Sequence, residues 1–220
     1  MSFSDNFNRS DSSLSVSPNW TTYDHEGNTV APGSTSDFKF VNNKIVGGGH
    51  GWWAIARVNT SAETFADDQE ATIYISDIVS SRAANGGRGG RLISGFNTVG
   101  VAVRVQDTGA CYAAVVDPFS TEGLGGLQLI TFDENGDSEW HLLSPDDYSD
   151  PNHWGNAIGG DWTDTDAPNK LTLRVHGNVL TVLVNDVIQV IYDVSQNQEV
   201  DSNDLLTSGQ RGIYHDGYGH

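Results

Sequence analysis

Residues 170–195 read KLTLRVHGNVLTVLVNDVIQVIYDVS, and apolar and polar side chains alternate along most of this stretch. Apolar residues occupy every second position over 171–175 and again over 180–184. The pairs Gly-Asn at 177–178 and Asn-Asp at 185–186 are residues typical of tight turns. A two-residue period interrupted by such turns predicts three antiparallel strands joined by hairpins, with one face of the sheet buried.

Similar hairpin signals recur along the chain. Residues 99–106 and 110–116 are apolar runs around an Asp-Thr-Gly turn, and an Asn-Gly pair at 135–136 separates two further runs. No stretch has the period of a helix longer than a turn or two. Roughly a dozen strands at hairpin spacing predict an all-β, antiparallel two-sheet β-sandwich. We expect a single domain over 1–220, with a Gly/Arg-rich insertion at 80–98 and a long acidic loop at 144–169.

The composition is strongly acidic, with 29 Asp and Glu against 11 Lys and Arg and a formal net charge of -18. Such a surface repels nucleic acid and anionic membranes, so neither is an expected partner. Cys111 is the one cysteine, which excludes an internal disulfide, and its apolar surroundings predict a buried, inert thiol.

The first ten residues, MSFSDNFNRS, have neither the basic nor the apolar segment of a secretory signal. No run approaches the roughly 18 apolar residues that a membrane helix needs. We therefore expect synthesis in a cytoplasm, with release by lysis if the protein works outside the cell.

Several short motifs follow one another along the chain. They are Asp5-Asn6-Phe7 with Arg9, then Trp20, then Arg104 with Gly109 and Tyr112, then the strand pair of 171–185, and finally Gly212-Ile213-Tyr214. In these motifs and their order the chain resembles the concanavalin A-like lectin/glucanase jelly roll, in the laminin-G-like form common in bacteriophage structural proteins. The resemblance covers about 2–43 and 99–214.

The chain departs from that pattern in two places. Members of the superfamily usually continue past the final Gly-x-Tyr with a strand that pairs with the first one, and here the sequence stops at His220. An open edge beside the first strand, near Phe3 and Phe7, is therefore an expected partner contact. The Glu-x-Asp-x-x-Glu motif of glucanases with this fold is absent, so the resemblance implies no enzyme and we nominate no catalytic residue.

Exposed aromatic side chains are the candidate ligand contacts. Trp154 and Trp162 fall in the acidic loop, where an indole can stack on a sugar or dock against a partner. Trp52 and Trp53 are adjacent, so one faces outward in a strand, and we take Trp53 as that one. Burial in the core, or anchoring of a loop, is the alternative for each of these side chains.

Clustered carboxylates suggest one candidate metal site. Asp161, Asp164 and Asp166 supply the oxygen ligands that Ca²⁺ prefers, although acidic loops are more often only solvated. No other cofactor is implied. Arg88 and Arg91, in the glycine-rich insertion, can pair with carboxylates of a neighbouring subunit, and a solvated loop explains them equally well.

Two functions are compatible with these features. The first is a non-enzymatic bacteriophage virion protein, most simply a capsid decoration protein that contacts the major capsid protein and forms a homo-oligomer. The alternative is a carbohydrate-binding, lectin-like module, for example a receptor-binding tail fibre or knob component that binds a host surface glycan. A glycoside hydrolase would need two carboxylates flanking a cleft, and the sequence offers no such pair.

Overall fold

The structure is a computed structural model, and it describes residues 4–5, 12–34, 37–41, 44–46, 54–59, 66–75, 98–116, 125–132, 138–144, 169–196 and 205–216. All strand pairs in it are antiparallel, and the helical residues of these ranges form two three-residue 3-10 segments, Leu14–Val16 and Val194–Gln196. The strands are β1 Ser12–Ser13, β2 Trp20–Tyr23, β3 Lys39–Val41, β4 Lys44–Val46, β5 Ala54–Val58, β6 Gln69–Ile75, β7 Thr98–Val105, β8 Cys111–Val116, β9 Gly125–Phe132, β10 Ser138–Ser144, β11 Asn169–His176, β12 Val179–Val184, β13 Val187–Asp193 and β14 Gln210–Asp216.

Two main sheets form the sandwich. The larger has seven strands in the order β10-β9-β8-β7-β14-β5-β2, and the smaller has four in the order β13-β12-β11-β6. A third small sheet joins β1, β3 and β4. The predicted all-β, antiparallel sandwich is therefore confirmed.

The meander predicted over 170–195 is also confirmed. Strand β12 pairs on one side with β11 and on the other with β13. Gly177, Asn185 and Asp186 have positive φ angles of 56°, 50° and 66°, as their tight turns require. The alternation places Leu171, Leu173 and their equivalents inward, against the seven-stranded sheet.

The main core lies between the two sheets, where β-branched and aliphatic side chains of both inner faces interdigitate. Near β2 and β5 it continues into a second group, which contains Trp20, Phe38 and Ile213. The buried members of the main cluster are Ala71, Ile75, Val101, Val103, Tyr112, Ala114, Leu127, Leu129, Leu143, Leu171, Leu173, Val175, Leu180, Val182, Val184 and Val194.

His215 lies beside this second group. Its ring meets Phe38 edge-on, with 6.1 Å between the ring centroids. Strand register pairs His215 with Val99 and Ala54, on the same face of β14 as Ile213. Burial lowers the pKa of His215 to about 4, because a charged imidazolium is poorly solvated there.

The opposite, outer face of the seven-stranded sheet is buried too. Ala102, Cys111, Ala113, Ile130 and Tyr214 on this face have no exposed surface. A sheet buried on both faces explains why β7 and β8 read as nearly continuous apolar runs. Cys111 is a free thiol, and the burial expected from the sequence is confirmed; this burial raises the pKa of Cys111.

A β-bulge in β7 centres on Arg104. The pairing of β14 with β7 shifts register between Gln210 and Gly212, and Arg104 has a φ of 53°, which is rare outside glycine. Side chains satisfy the displaced backbone: the Arg104 amide donates to Gln69 and the Arg104 carbonyl accepts from Gln106.

The Arg104 side chain ties three chain segments together at one end of the sandwich. Its guanidinium donates to the carbonyl oxygens of Asp67, Gly177 and Leu206, at distances between 2.7 and 3.2 Å. The residue is 2% exposed, and burial lowers the pKa of Arg104. We call Arg104 and these three carbonyls the arginine clamp.

Several other predictions about the organisation of the chain concern residues that lie outside the described ranges. These include the first strand near Phe3 and Phe7, the insertion at 80–98 and the acidic loop at 144–169. The single-domain organisation and the open edge beside the first strand therefore stay predictions. No helix within the described ranges is long and apolar enough to cross a membrane.

Candidate functional site

None of the site residues predicted from the sequence lies in the part of the chain that the structure describes. This holds for the proposed ligand contacts Trp53, Trp154 and Trp162, for the partner contacts Phe3, Phe7, Arg88 and Arg91, and for the calcium ligands Asp161, Asp164 and Asp166. All of these assignments stay predictions. Within the described ranges, no group of three or more His, Cys, Asp or Glu side chains could hold a metal ion.

The structure instead brings together a polar cluster at the rim of the seven-stranded sheet, on its outer face. We call Tyr23, Arg57, Asp107 and Gln210 the rim cluster. Tyr23 lies on the edge strand β2, Arg57 on β5, Gln210 on β14, and Asp107 in the turn between β7 and β8. Residues from four distant parts of the sequence thus meet at one end of the sheet.

Arg57 is the centre of the rim cluster. Its Nη1 forms an ion pair with the Asp107 carboxylate, and its guanidinium carbon lies 5.5 Å from the Tyr23 ring centroid, in a cation–π arrangement. The Arg57 side chain is only 14% exposed, whereas that of Asp107 is 88% exposed. A shielded cation is thereby held next to a carboxylate that faces water.

Two polar atoms of the cluster are buried without a hydrogen-bond partner among the described residues, namely Arg57 Nε and Gln210 Oε1. Buried polar atoms are nearly always paired, since each unpaired one costs about 1–3 kcal/mol. Unpaired buried donors and acceptors at one end of a sheet are expected of a site that completes its hydrogen bonds with a ligand or with water.

Gly212 allows Arg57 to reach its partner. Strand β14 lies between β5 and β7, so the Arg57 side chain must cross β14 to meet Asp107. Gly212 is the register partner of Arg57 and has no side chain to obstruct that path. A Cβ at Gly212 would lie 2.6 Å from the carbonyl oxygen of Ala56, which is too close for any larger residue without movement.

Tyr23 supports the guanidinium and is not itself an open stacking surface, because it is 3% exposed. Burial raises the pKa of Tyr23; the nearby Arg57 cation opposes this rise and the Asp107 carboxylate adds to it. The phenol therefore stays neutral across the physiological range. The group of this cluster that is open to a ligand is the Asp107 carboxylate, with the largely shielded Arg57 guanidinium beside it.

The sequence carried little signal for this cluster. Asp107 falls in the predicted Asp-Thr-Gly turn, which explained it structurally, and Tyr23 and Arg57 belong to none of the motifs that the sequence made conspicuous. Their meeting depends on the strand order β7-β14-β5-β2, which joins residues 50 positions apart in the Arg57–Asp107 pair. Local periodicity does not reveal such long-range pairing.

Comparison with known proteins gives a fold and no family. No protein-family model matches the chain, and no curated protein matches it. Among solved structures it is similar to the carbohydrate-binding module CBM66 from Bacillus subtilis, with 15% identity, a TM-score of 0.50, and coverage of 90% of this chain and 89% of that chain. It is also similar to a glycoside hydrolase family 16 endo-glucanase from Bacteroides ovatus, with 13% identity, a TM-score of 0.46, and coverage of 98% and 86%. A third is β-agarase A in complex with oligoagarose, with 12% identity, a TM-score of 0.46, and coverage of 96% and 77%.

These likenesses show the fold, a concanavalin A-like jelly-roll sandwich, and confirm the resemblance drawn from the sequence in that respect. The bacteriophage setting that accompanied it stays a prediction. The prediction that the protein is not an enzyme is wrong, because this fold does not exclude catalysis. Glycoside hydrolases are among the similar structures, so the architecture is compatible with catalysis as well as with binding.

Proposed function

We propose that this concanavalin A-like sandwich is a carbohydrate-binding, lectin-like protein, with the rim cluster as its sugar contact. The likeness to a carbohydrate-binding module supports the proposal, because it extends over nearly the whole of both chains. The observation that carries it is the Arg57–Asp107 pair, which sets an exposed carboxylate beside a guanidinium that has a further unpaired N–H.

The chemistry of the rim cluster suits neighbouring sugar hydroxyls. A hydroxyl both donates and accepts, so one hydroxyl can donate to Asp107 while the next accepts from Arg57. Hydrogen bonds in which one partner is charged are about twice as strong as neutral ones. The net charge of -18 disfavours acidic polysaccharides, so the proposed ligand is an uncharged glycan.

Substitutions in the Arg57–Asp107 pair are expected to weaken glycan binding by at least about 10-fold, equivalent to about 1.4 kcal/mol. Asp107→Asn removes the charged acceptor, and Arg57→Lys removes the planar donor fork while it keeps the charge. A glycan array identifies the ligand, and calorimetric titration of that ligand measures the loss.

Glu26→Gln is the matched control, because Glu26 is an acidic residue whose side chain is 64% exposed and which lies outside the rim cluster. It should bind as the wild type does. Equal affinity of the Asp107→Asn variant, with unchanged melting temperature, would remove the rim cluster as the sugar contact. An array of neutral glycans without any binding would contradict the function itself.

A location on a bacteriophage particle is a separate proposal. A receptor-binding protein on a bacteriophage particle can also bind glycans, so a virion location and a lectin-like activity are compatible. The expected result is that the protein copurifies with intact particles and with the major capsid protein, as mass spectrometry of those particles would show. Its absence from purified particles would leave the carbohydrate-binding proposal intact and remove the virion one.

A further inference from the structure

A tyrosine exposed to water stands on the outer face of the four-stranded sheet, the face turned away from the seven-stranded sheet. Tyr74, on the edge strand β6, is 67% exposed, so its ring is open to a ligand. Strand register pairs Tyr74 with Lys170 on β11, and side chains paired in this way have Cβ atoms about 5 Å apart. Lys170 Nζ in turn lies 2.5 Å from Asp186 Oδ1. We call Tyr74, Lys170 and Asp186 the tyrosine cluster.

The backbone holds the two charged groups of this cluster together. Asp186 lies in the turn between β12 and β13, and Asn185 fixes that turn to β11. The Asn185 amide donates to the Lys170 carbonyl, and Asn185 Oδ1 accepts from the Lys170 amide. The hydrogen bond to Asp186 raises the pKa of Lys170, and the Tyr74 phenol adds to the rise. The amine is therefore charged at neutral pH, close to both a carboxylate and a phenol.

Together these groups offer the contacts that a sugar ring uses. The exposed Tyr74 ring can stack on the apolar C–H face of a pyranose. An ammonium group has three N–H donors, so Lys170 can donate to a sugar hydroxyl as well as to Asp186. The Asp186 side chain is 70% exposed, and its carboxylate can accept from a second hydroxyl. Lys170 offsets Asp186, and Arg174 offsets Glu70, the carboxylate of β6, so the expected ligand is uncharged.

The rim cluster contains the same three kinds of group, an aromatic ring, a cation and a carboxylate. Tyr23 in the rim cluster is buried and supports its cation, whereas Tyr74 is open to water. We propose that the tyrosine cluster is a second sugar contact, in which one ring of an uncharged glycan stacks on Tyr74 and hydrogen-bonds to Lys170 and Asp186. This inference rests on the proposed carbohydrate-binding function.

The two clusters lie on different sheets and toward opposite ends of the sandwich. Gln69, at the start of β6, accepts from the amide of Arg104, which precedes the turn of Asp107. Tyr74 lies five residues further along β6, which is about 17 Å in a strand. The two packed sheets are themselves about 10 Å apart. A mono- or disaccharide therefore cannot touch both clusters, and one protein molecule can hold two glycan chains.

Glycan binding by single variants and their combination tests the second contact. Asp107→Asn impairs the rim cluster, so the binding that this variant keeps on an array of neutral mono- and disaccharides should come from the tyrosine cluster. Adding Tyr74→Ala should weaken that remaining binding by at least about 5-fold, as calorimetric titration with the bound disaccharide would show. Adding Tyr74→Phe instead keeps the ring and should leave the remaining binding largely intact.

Ile191→Ala is the matched control. Ile191 is 66% exposed on the same outer face, but it lies on β13 at the opposite edge of the sheet. In the Asp107→Asn background this change should leave the remaining binding as it is. All three substituted side chains are exposed, so circular dichroism should show an unchanged fold.

The two contacts can fail separately. Complete loss of binding in Asp107→Asn, or remaining binding that Tyr74→Ala does not change, would overturn the second contact and leave the rim cluster in place. Binding that Asp107→Asn does not change and Tyr74→Ala removes would support the second contact and overturn the rim cluster. A wild type that binds no neutral glycan would contradict the proposed function and this inference together.

Turbidity of a polysaccharide solution tests whether one molecule holds two chains. The wild type should cross-link and cloud a soluble neutral polysaccharide that contains the bound disaccharide, because each molecule has two contacts. Tyr74→Ala should bind the same polysaccharide and leave the solution clear. Equal turbidity with Tyr74→Ala would contradict a second contact at Tyr74.

Discussion

Replacing Arg104 by alanine is expected to lower the free energy of unfolding by about 3–5 kcal/mol, the largest effect of any substitution considered for this protein. The arginine clamp joins carbonyl groups of three segments, and these carbonyls lose their donor when the buried guanidinium is removed. Alanine also keeps the positive φ of 53° without the contacts that hold it there. Urea unfolding, extrapolated to water, measures the loss.

Two further variants test whether the loss of stability comes from the clamp. Arg104→Lys keeps the positive charge but not the planar fork, so it should lose most of the same stability. Arg174→Ala removes an arginine whose side chain is 50% exposed and ion-paired, and it should change stability by no more than about 1 kcal/mol. An Arg104→Ala protein within about 1 kcal/mol of the wild type would show that the clamp is dispensable.

Lowering the pH from about 6.5 to about 4 is expected to cost up to about 3 kcal/mol of stability through His215 alone, at about 1.4 kcal/mol for each pKa unit. The folded protein holds the pKa of His215 at about 4, below its ordinary value of 6.5. In this window the unfolded chain binds a proton that the folded one does not. The contribution of His215 is therefore complete above pH 6.5 and is lost as the pH falls toward 4.

Unfolding free energies measured between pH 7 and pH 4 test this dependence. His215→Gln, which cannot titrate, should flatten the slope in that window even if its stability at pH 7 is lower. A slope that survives in His215→Gln would assign the effect to another group.

The secondary structure was largely predictable because it depends on local patterns. Alternation over 170–195, together with two turn pairs, placed β11 to β13 and their hairpins correctly. The hairpin around Asp107 followed from the same kind of signal. Continuous apolar runs in β7 and β8 were harder to interpret, since burial of both faces removes the alternation that assigns a face to each residue.

The arginine clamp and the rim cluster were not predictable. An arginine with positive φ has no local signature, because turn statistics favour Gly, Asn and Asp in that conformation. The acceptors of Arg104 are backbone carbonyls, which every sequence contains. The rim cluster depends on the order of strands within a sheet. The tryptophans and aspartates that the sequence made conspicuous lie outside the described residues.

The position of β14 in the large sheet determines when that sheet can close. Strands β2 and β5 form one half, β7 to β10 form the other, and β14 is the strand that hydrogen-bonds to both. It is also the last of the described strands to leave the ribosome. During synthesis the edges of β5 and β7 that face β14 therefore lack their hydrogen-bonding partner until β14 inserts between them. Such a late, long-range step makes folding slow and exposes the growing chain to aggregation, so chaperones that shield strand edges should raise its yield.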